Sequence, residues 1–190
     1  RPSLRLIPPP KEDAEIPTIT APANITVSTD AESSTATGVT LGIPTTADNV
    51  GVSSVSNDST EPYSIGDTIV TWTVTDNSGN TATATQIVTV VDNESPIFNS
   101  LITNINEEAE SPTGNSVSFS LPIATDNVRT PTVQCSPESD SLFSLGDTTV
   151  TCTATDAAEN VENIEFIVNV SDTVAPFVIV PSDSQFEATS

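Results

Sequence analysis

The chain is expected to be all-β: two small β-sandwiches in tandem, followed by the opening strand of an incomplete third. Three observations lead there. Apolar residues alternate at period two, and no helix-period pattern persists. Gly, Pro, Asn and Asp punctuate the alternating runs as turn residues do. One long stretch also recurs: "GDTIVTWTVTDNSGN", Gly66 to Asn80, returns as "GDTTVTCTATDAAEN", Gly146 to Asn160. A unit of about 80 residues is just large enough to bury a core of its own.

Residues 1–15 read as a basic, proline-rich leader. Three of the four basic residues, Arg1, Arg5 and Lys11, lie here. "SLRLI" alternates, and "PPP" then acts as a stiff spacer. The opening "RPSLRLIPPP" reads as a processed end or an excised fragment.

Residues 16–92 are the first module. Val39, Leu41 and Ile43 alternate with polar or small residues, and so do Val70, Trp72 and Val74. Such alternation turns one face inward and leaves the other wet. The module ends at "VDNESPIF", where an acidic residue and then a proline interrupt the β-like run.

Residues 93–172 are the second module. "LPIATDNV", Leu121 to Val128, matches "IPTTADNV", Ile43 to Val50. The Gly66 and Gly146 stretches stand two residues further apart than these, so the second copy has a short insertion after Val128. Val117, Phe119 and Leu121 repeat the first alternating set; Val150, Cys152 and Ala154 repeat the second. Ile164, Phe166, Val168 and Val170 mark one face of the last strand, and "VSDTVAPF" repeats the acidic and proline stop. Residues 173–190 then begin again. "APFVIVPSDSQFEATS" is similar to "IPTITAPANITVSTDA", so it is the opening strand of a third module or a strand offered to a partner.

Twenty-six acidic and four basic residues give a net charge of −22. Beyond Lys11 only Arg129 is positive. Such a surface repels phosphate backbones, which excludes nucleic acid as a partner. It suits cations, a salty medium or simple solubility. No stretch approaches the roughly 18 apolar residues of a membrane span.

The combination "ATDNV … FSLGDTTVTCTATDAAEN … VSDTVAPF" resembles the hyalin repeat (HYR) family, immunoglobulin-like extracellular modules. The resemblance runs from about Ile16 to Asp172. It implies tandem immunoglobulin-like sandwiches, an extracellular or cell-surface location and a part in adhesion, without catalysis. It also implies that Cys135 and Cys152 are paired in a disulfide between neighbouring strands. Two buried free thiols are the other reading of the same residues. In the first module Asn57, or a neighbour, and Trp72 stand where the second has its cysteines.

Immunoglobulin topology places the start of the first strand at the same end as two loops, and the exit of the last strand at the other end. Asp92, and Glu94 beside it, are therefore expected near the turns of the second module that carry Asp126, Asn127, Asp156, Glu159 and Asn160. The equivalent set in the first module is Asp48, Asn49, Asp76 and Asn80, near the acidic "KEDAE". Carboxylates gathered in a small space repel unless cations or protons neutralise them. Calcium, which takes six to eight hard oxygens, is the expected cation, and the repeated stop would be a hinge fastened by metal. The alternative is that these Asp and Asn residues only bond their own turns.

Sequons at Asn24, Asn57, Asn93 and Asn169 permit glycosylation. Histidine is absent, and so are phosphate loops, nucleophile elbows and zinc-ligand sets, so no enzyme is expected. The function expected is that of a structural or adhesive surface protein: a segment of a filament, surface layer or adhesin. It would associate head to tail through its terminal segments, or with other surface proteins. The alternative is a carbohydrate- or protein-binding accessory module of a larger secreted protein.

Overall fold

The computed structural model describes residues 12–179, and within them no helix occurs. The chain is all-β, in two tandem immunoglobulin-like repeats. The first repeat holds β1 (Thr18–Thr20), β2 (Ile25–Ser28), β3 (Thr35–Ala36), β4 (Thr45–Ala47), β5 (Val52–Asn57), β6 (Tyr63–Ser64), β7 (Gly66–Asp76) and β8 (Thr81–Val91). The second holds β9 (Ile97–Phe98), β10 (Ile105–Glu108), β11 (Asn115–Val117), β12 (Ala124–Thr125), β13 (Thr132–Ser136), β14 (Ser141–Phe143), β15 (Gly146–Thr155) and β16 (Val161–Ser171).

The sheets repeat strand for strand. The first repeat has a four-stranded sheet in the order β2-β8-β7-β5 and the pairs β1-β4 and β3-β6. The second has β10-β16-β15-β13 with β11-β14 and β12-β9. In both, the short strand at one edge runs parallel to the last long strand: Ile25 faces Val88, and Ile105 faces Val168. The first strand of each long hairpin, β7 and β15, starts at a Gly-Asp pair. Gly66 and Gly146 adopt φ values of 98° and 100°, a left-handed region costly for residues with a Cβ, which explains the recurring Gly-Asp.

By contacts, the described residues form two compact units. The first holds those up to Ile97 together with Ala124–Thr132 and Ala154–Glu162. The second holds Phe98–Ile123, Val133–Thr153 and those from Asn163 onward.

Alternation sets the cores. Val70, Trp72, Val88 and Val90 are buried with Ala36 and Tyr63 in one cluster. Val150, Cys152, Phe166, Val168 and Val170 are buried with Val117, Cys135 and Phe143 in the other. Cys135 and Cys152 form a disulfide with Cα atoms 3.9 Å apart, joining β13 to β15. In the first repeat Asn57 lies opposite Trp72, the same cross-strand position without a crosslink.

One sequence expectation fails here. Residues 38–44 and 118–123 form no strand, and Ile43 and Leu121 are exposed at 90 % and 52 %. Gly38 and Gly42 take positive φ, which breaks the extended run before Ile43. The Leu41 carbonyl accepts from the Gln86 side chain, and the Phe119 amide donates to Ser139 Oγ, so these groups bond side chains rather than a ladder. Of the terminal segment 173–190 the described part, residues 173–179, carries no strand, and Phe177, Val178 and Ile179 are exposed. Their counterparts in β1 and β9 pair with β4 and β12, and no equivalent partner follows Asp172 among the described residues. The basic leader, apart from its last four residues, and the rest of the terminal segment lie outside the described residues.

Candidate functional site

Two groups of three carboxylates stand out. Asp13, Asp48 and Asp76 each bring one oxygen to within 4.8 Å of the others; Asp92, Asp126 and Asp156 do the same. Every member of the second group lies in the first compact unit, because that unit takes in the turns at 124–132 and 154–162.

The local sequence explains how each carboxylate is aimed. Asp13 and Asp92 sit in an Asp-x-Glu-x-Pro stretch, and each accepts from the amide two residues on, Glu15 or Glu94, at 3.1 Å through Oδ1. Asp172 makes the same turn with the Val174 amide at 3.1 Å. Asp48 accepts from Val50 and Gly51 through Oδ2, and Asp126 from Val128 and Arg129 through Oδ2. Asp76 and Asp156 close the hairpins after β7 and β15. Each takes two amides on Oδ1 and the Asn80 or Asn160 side chain on Oδ2, all at 2.8 Å.

The turn-residue reading is thus correct for one oxygen of most of these carboxylates, and it leaves others over. Asp13 Oδ2, Asp48 Oδ1, Asp126 Oδ1 and Asn127 Oδ1 are sealed from solvent without a hydrogen-bond partner. Buried polar atoms are rarely left this way, because each costs its full desolvation. Burial pushes the Asp76 carboxyl up, but donors from the Asn80 side chain and from the backbone of Asn80, Ser78 and Gly79 outweigh it. Its pKa therefore lies below the ordinary range, and the group stays ionised near neutrality.

The two asparagines brace the first carboxylate of each group. Asn80 Nδ2 donates to the Asp13 and Glu15 carbonyls at 3.2 and 3.1 Å, and Asn160 Nδ2 to the Asp92 carbonyl at 3.3 Å. Asn49 is exposed and donates to Glu15 Oε2 and Asp13 Oδ1. Asn127 donates to the Ser33 carbonyl at 2.8 Å and to Thr29 Oγ1 at 3.4 Å.

Asp92, Asp126 and Asp156 thus come together as the topology argument expects, and Asp48 joins Asp76. Glu94 and Glu159 are not among the carboxylates whose oxygens lie within 4.8 Å of one another. Both Glu94 oxygens accept from the Glu32 amide, and Glu159 is an exposed left-handed turn residue with φ of 69°. Sequence reasoning assigned Asp13 to the leader, yet its Asp-x-Glu-x-Pro spacing is that of Asp92. Of the sequon asparagines, Asn24, Asn57 and Asn93 are exposed and Asn169 is half-buried. Asn24 Oδ1 accepts from the Ile87 amide, and Asn57 Oδ1 caps Ser59. Asn93 donates to Ser28, and Asn169 to Asp147.

Comparison with known proteins agrees with this internal repetition. The family model of the HYR domain matches residues 12–90 and again 91–170. Hyalin of Strongylocentrotus purpuratus is 32 % identical over 179 residues, 88 % of this chain and 15 % of that protein. Hyalin of Lytechinus variegatus is 36 % identical over 152 residues, 74 % of this chain and 28 % of that protein. The sushi, von Willebrand factor type A, EGF and pentraxin domain-containing protein 1 of Rattus norvegicus is 32 % identical over 185 residues, 90 % of this chain and 5 % of that protein. The chain therefore spans less than a third of the length of these relatives. Among solved structures, Sidekick-1 immunoglobulin domains 1–4 align with a TM-score of 0.48 at 16 % identity, covering 82 % of this chain and 49 % of that one. Drosophila N-cadherin EC1-4 aligns at 0.44 and 11 %, covering 83 % and 50 %. On the two family-model matches, the chain belongs to the HYR domain family, as two tandem copies.

Proposed function

We infer that this chain is an extracellular structural and adhesive segment, and that each of its two carboxylate groups holds a calcium ion. Membership of the HYR family supports the first part, together with a disulfide suited to oxidising surroundings. One observation carries the second part. All four buried side-chain oxygens or nitrogens left without a partner among the described residues belong to the two groups or to Asn127 beside one of them. Ionised carboxylates so close repel one another, and a divalent cation removes both the repulsion and the unmet acceptors. The donors are all hard oxygens with neither His nor Cys among them, which suits calcium over zinc or copper.

An adhesive role is favoured over a sugar-binding one because Trp72 and Tyr63, the aromatics a flat sugar platform would use, are buried in the core. Among the described residues no helix is long and apolar enough to cross a membrane. The partners of such a segment are other surface proteins or further copies of the chain; sedimentation over a range of concentrations tests the second.

Calcium binding is tested by thermal unfolding of the full chain in chelator and in millimolar calcium. Binding to the native state alone raises stability by about 2.7 kcal/mol at a hundredfold excess over Kd. Asp126→Asn and Asp48→Asn should each remove part of the calcium-dependent rise. An unchanged midpoint in the parent chain would leave the clusters as turn residues only.

A further inference from the structure

We propose that Asn127 is itself a ligand of the cation held by Asp92, Asp126 and Asp156, and that this site consequently fills before the one at Asp13, Asp48 and Asp76. The inference rests on the calcium reading above and adds an order of filling to it.

Each site gathers three carboxylates, and an asparagine follows both Asp126 and Asp48; the difference lies in how that asparagine is held. Asn127 has its carboxamide oriented by chemistry. Nδ2 points to the Ser33 carbonyl, which can only accept, so Oδ1 must face the other way. That oxygen has neither solvent access nor a donor. A carboxamide oxygen held in this state, on the residue after Asp126, whose own Oδ1 is likewise buried and unpartnered, is a pre-positioned neutral ligand. Calcium sites use Asn carbonyls alongside carboxylates. Asn127 is also held by Thr29 Oγ1, so little side-chain freedom is lost on binding.

Asn49, at the same place in the first repeat, is used differently. It is exposed, and Nδ2 donates to Glu15 and Asp13. Its amide therefore already satisfies part of the negative charge that a cation would meet, and its oxygen is not among the buried unpartnered atoms. The first site offers three carboxylates. The second offers three carboxylates and one fixed neutral oxygen. Ligand number and rigidity are what tune calcium affinity.

The experiment is a calcium titration of the full chain by isothermal calorimetry, with Asn127→Ala, Asn127→Asp and Asn49→Ala in parallel. Thermal unfolding in chelator checks that each variant is folded. The parent should take up two ions with distinct affinities. Asn127→Ala should weaken the tighter one on the order of tenfold and leave the weaker unchanged. Asn49→Ala should leave the tighter one as it was. Asn127→Asp keeps an oxygen at the ligand position while losing the donor to Ser33. It should therefore retain tight binding, whereas a residue acting only through its donor would lose it. Two equal affinities in the parent, an Asn127→Ala titration like the parent's, or an Asn127→Asp as weak as Asn127→Ala would each overturn the proposal with the calcium reading intact. A parent that takes up no calcium would overturn both.

Discussion

Trp72 Nε1 donates to Gln86 Oε1 at 3.1 Å inside the core of the first repeat, where the second repeat carries Cys152 and Phe166 at the equivalent positions. Gln86 has no exposed surface, and its own amide donates to the Ala23 and Leu41 carbonyls at 2.7 and 2.9 Å. One side chain thus ties two long strands to two loops. In the second repeat Phe166 meets Phe119, the counterpart of Leu41, edge to face with ring centroids 5.0 Å apart. The same place in the fold is held by hydrogen bonds in one copy and by an aromatic pair in the other.

Gln86→Ala should therefore destabilise the first repeat severely. It leaves the Trp72 indole N–H and two carbonyls unpaired and opens a cavity. Each buried group left unsatisfied costs about 1–3 kcal/mol, so a loss of at least about 3 kcal/mol is expected. Chemical denaturation followed by Trp72 fluorescence reads this directly. A midpoint within error of the parent would show that water replaces the amide without cost.

The crosslink makes the complementary prediction. Cys135 and Cys152 are seventeen apart in sequence and bonded, and a loop of that size contributes about 3 kcal/mol in the chain-entropy account. Replacing both by Ala should lower the unfolding midpoint of the second repeat and leave the Trp72 transition of the first where it was. If both transitions move together, the two repeats unfold as one.

Much of this was legible in the sequence. The duplicated Gly-Asp turns and the period-two faces of β7, β15 and β16 follow from alignment of the chain with itself, whereas the residue opposite Trp72 is narrowed only to Asn57 or a neighbour, and the structure makes it Asn57. The partnership of Asp92 with Asp126 and Asp156 followed from topology, since it depends on which ends of strands lie together. What alignment does not give is side-chain direction. Glu94 lies two residues from Asp92, but its carboxylate accepts from the Glu32 amide and stands outside the group of three. Ile43 looks like core by alternation, but the positive φ of Gly42 ends the regular pleat before it. Asp13 was missed for a different reason. Basic residues and prolines dominate the leader and hide a spacing it shares with Asp92.

Gly114 carries a backbone demand that no substitution can meet. Its φ is 118°, and a Cβ built there would lie 1.9 Å from the Phe143 carbonyl oxygen and 2.8 Å from its carbon. Both neighbours are backbone, on the strand that pairs with β11, so a rotamer change cannot relieve the clash. Gly114→Ala should unpair β11 from β14 and expose Phe143, at a cost of several kcal/mol. Gly146→Ala, with no atom within 4 Å of its Cβ, meets only backbone strain and should cost about 1–2 kcal/mol. Equal midpoints for the two variants would refute the steric argument.

Glu108 holds the chain after β16 back onto β10, and it should do so only while ionised. Thr173 donates to it twice, through the amide at 2.7 Å and the hydroxyl at 2.6 Å. In the first repeat Ser28 and Asn93 make the corresponding link. The Thr173 hydroxyl and amide hold the Glu108 carboxyl below the usual glutamate range, with burial acting weakly against them and the Val174 amide adding to them. A lowered folded-state pKa means the native form binds its proton less readily than the unfolded chain does. The contribution is therefore complete above the ordinary glutamate value of about 4.3 and is lost as pH falls through the lower folded value. The Thr173 amide resonance should shift with a midpoint below that of an exposed glutamate, and its exchange protection should fall over the same range. In Glu108→Gln that acid-dependent change should vanish. A Thr173 titration at the ordinary glutamate value, or one that persists in Glu108→Gln, would assign the shift to another carboxyl.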